Sequence, residues 1–186
     1  MKNNLSRLKS RDLTAIIIVS FLGFISGYYI NRIVGIQASY VLFLFTLVAL
    51  TSFLVYLIRK VGVATIFLLI LSLITYNVNG LGIKGVSKIY SLIIIGVIFD
   101  LILLISNKDG NSTATNILSS SILSFSLYPI ITALLLSRES FSALISATLN
   151  LTLLSTLISI AGSLISYLIW HQFRTTKTFL RFEFGS

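Results

Sequence analysis

The sequence predicts an all-α membrane protein: a compact bundle of about six transmembrane helices with both termini on the cytoplasmic side. Three observations predict it. Of the 186 residues, 56% are hydrophobic and only 10% charged, with a mean hydropathy of +1.00; an ordinary soluble domain carries roughly 25% charged residues. Apolar runs recur at lengths close to the ~20 residues that cross a ~30 Å hydrocarbon core. The charges collect at the two ends and in short gaps between those runs. The runs lack the alternation of an outer-membrane barrel, which favours helices.

The first span is expected over about Leu13 to Ile33. The second runs from about Ser39 to Ile58 and stops at Arg59-Lys60. The third covers about Val61 to Asn77, before a glycine-containing loop. The fourth covers about Ile89 to Ser106, closed by Asn107-Lys108-Asp109-Gly110-Asn111, a strong turn signal. The fifth runs from about Asn116 to Ser137, and the sixth from near Ser142 to near Trp170. The sixth is the longest and is expected to tilt or project. The domain plan is therefore a cytoplasmic segment at 1–12, a transmembrane domain at 13–170 and a basic cytoplasmic tail at 171–186. The final Glu183-Phe184-Gly185-Ser186 could be an appended sequence and carries no weight. The basic start followed by an apolar run resembles a signal peptide, but Leu13 to Ile30 is too long for one and no A-x-A-like site follows. No internal repeat is evident, which weighs against inverted-repeat folds.

Orientation follows from counting Lys and Arg. Lys2, Arg7, Lys9, Arg11, Arg59, Lys60, Lys108, Arg174, Lys177 and Arg181 fall on one side. Arg32, Lys84, Lys88 and Arg138 fall on the other. The ratio of 10 to 4 puts the first side, with both termini, in the cytoplasm. The same placement answers the formal charge of +9: no basic face with interleaved aromatics exists, so no nucleic-acid partner is expected. Cysteine is absent and His171 is the only histidine. A disulfide framework, a multi-ligand metal site and a His-based triad are all disfavoured. No catalytic residues and no cofactor are expected.

Asp100 lies inside the fourth span, about six residues from its cytoplasmic end. A carboxylate at the centre of a membrane helix costs on the order of 2.5–3.5 kcal/mol on insertion scales, so it must face the bundle or pair. Substrate contact, proton or ion coupling, a hinge near a partner subunit and a structural hydrogen bond to a neighbouring helix all remain open for it. Gly23 and Gly27 form a GxxxG strip on the first span, suited either to packing within the bundle or to docking a partner helix. A second strip on the sixth span includes Ser159 and Ser163, for which packing is favoured. Near the expected external ends lie Tyr28, Tyr40, Tyr76, Asn77, Asn79, Arg138 and Asn150. Aromatics stack on a flat ring while amides and hydroxyls read its edge, the composition of a small-molecule site. An interfacial aromatic belt explains any single tyrosine as well. Pro129, after Tyr128, is expected to free a backbone carbonyl and bend the fifth span, either shaping a pocket or only packing.

Three stretches carry a family resemblance. Arg11-Asp12-Leu13 leads into an apolar span. Tyr56-Leu57-Ile58-Arg59-Lys60-Val61-Gly62-Val63-Ala64 ends one span in a basic pair and restarts with small residues. The Gly23/Gly27 strip stands where an alanine-based A-x-x-x-A would. In these features, and in its size and topology, the chain resembles the S-components of energy-coupling factor transporters, hydroxymethylpyrimidine/thiamine type. The resemblance covers about residues 10 to 172. It implies a vitamin-binding or precursor-binding subunit of an importer in the cell membrane. It further implies a separate T-component and ATPases as partners, since the chain has no P-loop of its own. The glycines depart from the family's alanines. Alternatives are a standalone permease that loses transport on Asp100→Asn, and a non-transport scaffold subunit. An enzyme is disfavoured by the missing catalytic groups.

Overall fold

The computed structural model describes residues 8–78, 81, 84–106, 113–136 and 141–174, with the side chains of 36, 37 and 141–147 excepted. Every regular element among them is helical. In order they are α1 (Ser10–Ile33), α2 (Ile36–Ile58), α3 (Val63–Ile74), α4 (Val86–Ser106), α5 (Ala114–Ser126), α6 (Tyr128–Leu136) and α7 (Phe141–Phe173). Five helical segments are long and apolar enough to cross a membrane, α5 and α6 counting as one. This is the pattern of a multi-pass membrane protein.

Local chemistry sets the boundaries. At the start of α1 the Asp12 carboxylate accepts the Lys9 amide at 3.0 Å, satisfying an amide the helix leaves open. The same oxygen pairs with Lys60 at 2.8 Å, tying α1 to the turn after α2. That turn is tight. Arg59 ends α2 in the left-handed region (φ 52°) and Gly62 begins α3 there (φ 92°). Glycine adopts that conformation freely, whereas arginine does so at a cost. α5 begins at Thr113, whose hydroxyl accepts the Asn116 amide.

α2 is the central helix. It packs against α1, α3, α5 and α7, and buries Phe43, Leu44, Leu47, Val48, Leu54, Val55 and Tyr56. Against it α7 lays its small residues. Ser155, Ser159, Ser163 and Ser166 are buried, and Ser166 donates to the Ala49 carbonyl at 2.6 Å. A Cβ on Gly162 would stand 3.0 Å from Val48 Cγ1. The α1 strip also faces inward. A Cβ on Gly23 would meet Leu71 and Leu50, and one on Gly27 would overlap the Phe43 ring. Gly23, Gly27, Ser159 and Ser163 are therefore packing residues of the bundle itself. The docking reading of the α1 strip gives way, because α2 and α3 already occupy it.

The expectations need two corrections, at the third span and at Lys88. The third, expected over Val61 to Asn77, is a helix of only 12 residues, ~18 Å at 1.5 Å per residue. Residues 59–62 form the turn, and Thr75 leaves helical geometry (φ −90°, ψ 16°). The fifth is interrupted at Leu127 into α5 and α6, as expected of Pro129, which has no amide to continue the ladder. Lys88, counted above among the external loop charges, is fully buried. Its ammonium donates to the carbonyls of Thr75 (2.9 Å) and Val78 (3.0 Å) in the turn that follows α3, and lies 5.3 Å from the Phe43 ring centroid.

Candidate functional site

Membrane helices use hydroxyls mostly to close their own backbone. Thr14, Thr46, Thr51, Thr75, Thr152 and Thr156 each donate to the carbonyl four residues back. Thr132 on α6 does not. Its hydroxyl is buried without a hydrogen-bond partner, and so is that of Tyr128, one turn earlier. The two lie close enough to interact but outside hydrogen-bonding geometry. Even a bond between them would leave one donor proton and several lone pairs unused.

This pair sits at the break in the fifth span, with Pro129 between its members in sequence. Beside it stands the Tyr40 ring of α2, 6.4 Å from the Tyr128 ring between centroids and tilted at 42°. The Tyr40 hydroxyl meets Ser155 Oγ of α7 at 2.9 Å. Four residues from three helical segments thus gather two aromatic faces and four hydroxyls. Interrupted membrane helices that face the protein interior are a recurrent way to build a ligand site, since the break frees polar groups where lipid cannot reach. Burying an unpartnered hydroxyl costs on the order of 1–3 kcal/mol. Two of them on consecutive turns need a reason.

Of the residues expected to bind a ligand, only Tyr40 among the described ones joins this cluster. Tyr28 is exposed on α1, with the Arg32 guanidinium 5.5 Å from its ring centroid. Tyr76 and Asn77 are exposed in the turn after α3, and Asn150 is exposed on α7. The 33 residues of α7 span ~50 Å at 1.5 Å each, so residues of its first turns need not lie within the hydrocarbon. Asn79 and Arg138 lie outside the described residues. Tyr128, Thr132 and Ser155 were not singled out as ligand contacts. The signal for the first two was Pro129 next to an aromatic and one turn before a threonine; Ser155 was read only as part of a packing strip.

Asp100 has a different setting. Its Oδ2 accepts the Thr65 amide at 2.9 Å and the Thr65 hydroxyl at 2.5 Å, and the amides of Gly62 and Ala64 lie alongside the same carboxylate. These groups are the first turn of α3. A carboxylate there satisfies open amides and complements the positive end of the helix dipole. Oδ1 is buried without a hydrogen-bond partner. Next to it, Val61, Thr65, Ile66, Val97, Leu101 and Leu104 line an open groove of about 290 Å³ that is almost wholly apolar. The Oδ2 bonds are those of a structural cap on α3.

Among the described residues no group of three or more His, Cys, Asp or Glu could hold a metal ion. No protein-family model, no curated protein and no solved structure matches the chain.

Proposed function

We propose that the protein is a membrane-embedded binding subunit for a small polar molecule, serving import across the cell membrane. In this reading the chain crosses six times, with both termini cytoplasmic, as the distribution of Lys and Arg favours. The observation that carries the binding role is the buried Tyr128 and Thr132 hydroxyls, left without partners at the break of the fifth span. A ligand with complementary donors and acceptors, flat enough to lie against Tyr40 and Tyr128, would complete their hydrogen bonding. The cluster falls in the outer half of the proposed topology. Tyr40 lies in the first turns of α2, and Tyr128 lies nearer the external end of the fifth span than its cytoplasmic end. A vitamin or vitamin precursor fits this description, as the resemblance to S-components implies. A T-component and ATPases would then supply the energy. Such a partner would meet a face other than the Gly23/Gly27 strip.

Native mass spectrometry on protein purified in mild detergent from a rich-medium host tests this reading. A small molecule that is released on denaturation, and is lost from a Tyr128→Phe, Thr132→Val double variant, is the expected result. A consistently empty protein, unshifted in melting temperature across a panel of vitamins, would overturn it in favour of a scaffold role.

A further inference from the structure

Asp100 has hydrogen-bond donors but no counter-charge. The Thr65 amide and hydroxyl serve Oδ2, with the amides of Gly62 and Ala64 alongside, and every one of these groups is neutral. No lysine or arginine among the described residues pairs with it, whereas the other described carboxylate, Asp12, holds Lys60 at 2.8 Å. Oδ1 has no hydrogen-bond partner, and the residue is only 6% exposed. Buried charges are ordinarily paired, and buried polar atoms ordinarily bonded. Capping α3 accounts for Oδ2 and leaves Oδ1 unexplained.

Asp100 also lines the open groove of about 290 Å³ between α4 and the start of α3. Val61, Ile66, Val97, Leu101 and Leu104 give that groove aliphatic walls. At Gly62 it has no side chain, and a Cβ there would meet nothing within 4 Å. An acyl chain would fill the groove but offers Oδ1 nothing. Membrane helices dock on strips of small residues rather than on walls of valine, isoleucine and leucine. A divalent metal ion takes about six oxygen ligands, which one carboxylate in an aliphatic groove does not supply. An organic cation with a short apolar body matches both the charge and the walls. From this juxtaposition of an unpaired carboxylate oxygen and an aliphatic groove, we infer that α3 and α4 form a binding site for a small lipophilic amine. Its ammonium lies beside Asp100 and its hydrocarbon part against Val97, Leu101 and Leu104. In so apolar a setting the two charges attract strongly, and the cap bonds to Thr65 stay in place. The volume is at the lower edge of the range for small-molecule pockets, which suits one ring or a short chain. The groove shares no residue with the cluster at Tyr128, so the site stands whether or not that cluster holds a ligand.

The test is the melting temperature of the full chain in mild detergent at neutral pH, titrated with hexylamine and, separately, with hexan-1-ol. The two probes share a hydrocarbon chain and differ in charge. The protein carries a formal charge of +9, so no general attraction brings a cation to it. Hexylamine should raise the melting temperature in a saturable way, and hexan-1-ol should not. In Asp100→Asn, which keeps an oxygen for the Thr65 amide, the hexylamine concentration giving half the shift should rise about tenfold or more. Val97→Trp, at a half-exposed position on the groove wall, should abolish the shift with the carboxylate intact. It keeps the test open should Asp100→Asn fold poorly. No saturable shift with hexylamine in the unaltered protein would overturn the assignment and leave the groove to lipid or a partner's helix. Equal shifts from the two probes would overturn it too, as would an amine shift that survives either substitution.

Discussion

Lys88 and Asp100 stand twelve positions apart on α4 and serve opposite ends of α3, the lysine the carbonyls of Thr75 and Val78 in the turn just past its C-terminus and the aspartate the Thr65 amide in its first turn. α3 itself is 12 residues long, so the spacing of the two charges along one helix equals the length of the other. Each charge sits at the dipole end of opposite sign. A helix too short to bring both its ends to water has them closed by its antiparallel neighbour instead.

Replacing Lys88 should therefore be among the most destabilising single changes in the protein. Lys88→Met keeps the apolar stem but leaves the Thr75 and Val78 carbonyls without this donor, a loss of about 2 kcal/mol or more. A melting curve in detergent that matches the unaltered protein would show that the carbonyls find other donors.

Asp100 should behave as a cap. Asp100→Asn retains an oxygen for the Thr65 amide and should cost little, whereas Asp100→Leu removes the acceptor and should cost about 1–2 kcal/mol. On the importer reading proposed above, uptake should survive in Asp100→Asn. Abolished uptake with an unchanged melting temperature would restore ion coupling as the role of this acid.

Gly96 lets the two helices approach at the same level. A Cβ there would stand 2.7 Å from Thr65 Cα and 3.2 Å from its amide nitrogen. Backbone cannot turn aside as a side chain can. Gly96→Ala should cost about 1–3 kcal/mol through forced separation of α3 and α4. The effect should be synergistic with Asp100→Leu rather than additive, because both act on Thr65. A double-variant cycle with no coupling would refute that.

Tyr128→Phe and Thr132→Val should separate stability from binding. Each removes a buried hydroxyl that lacks a partner, so the empty protein should melt at the same temperature or higher. Ligand retention should fall in both. A fall in stability without ligand would instead mean that these hydroxyls are already satisfied, for example by ordered water.

Much of the fold was legible because a membrane demands long apolar runs and leaves charges in the gaps. The ends of α1, α2, α4 and α7 fall within a few residues of expectation. The break at Pro129 was legible too, since a missing amide has only one consequence. The length of α3 was not. Val61 to Asn77 reads as continuous apolar sequence, and nothing local shows that Gly62 turns left-handed or that a lysine ten residues past Val78 will serve its carbonyls. Lys88 was read by residue type as a loop charge, and only tertiary packing reveals it as buried. The candidate cluster was less legible for the same reason. Tyr40 could be named from position, but its joining with Tyr128, Thr132 and Ser155 depends on three helical segments meeting.

A helix of ~18 Å beside neighbours of 30 Å or more leaves the surrounding lipid no flat boundary. Acyl chains next to α3 must shorten or disorder to follow it, at a cost of fractions of a kcal/mol per ångström of mismatch. The protein therefore carries an elastic preference of its own. In vesicles with fourteen-carbon chains it should unfold at a higher temperature than in vesicles with twenty-carbon chains. In a membrane of mixed thickness it should partition to the thinner patches.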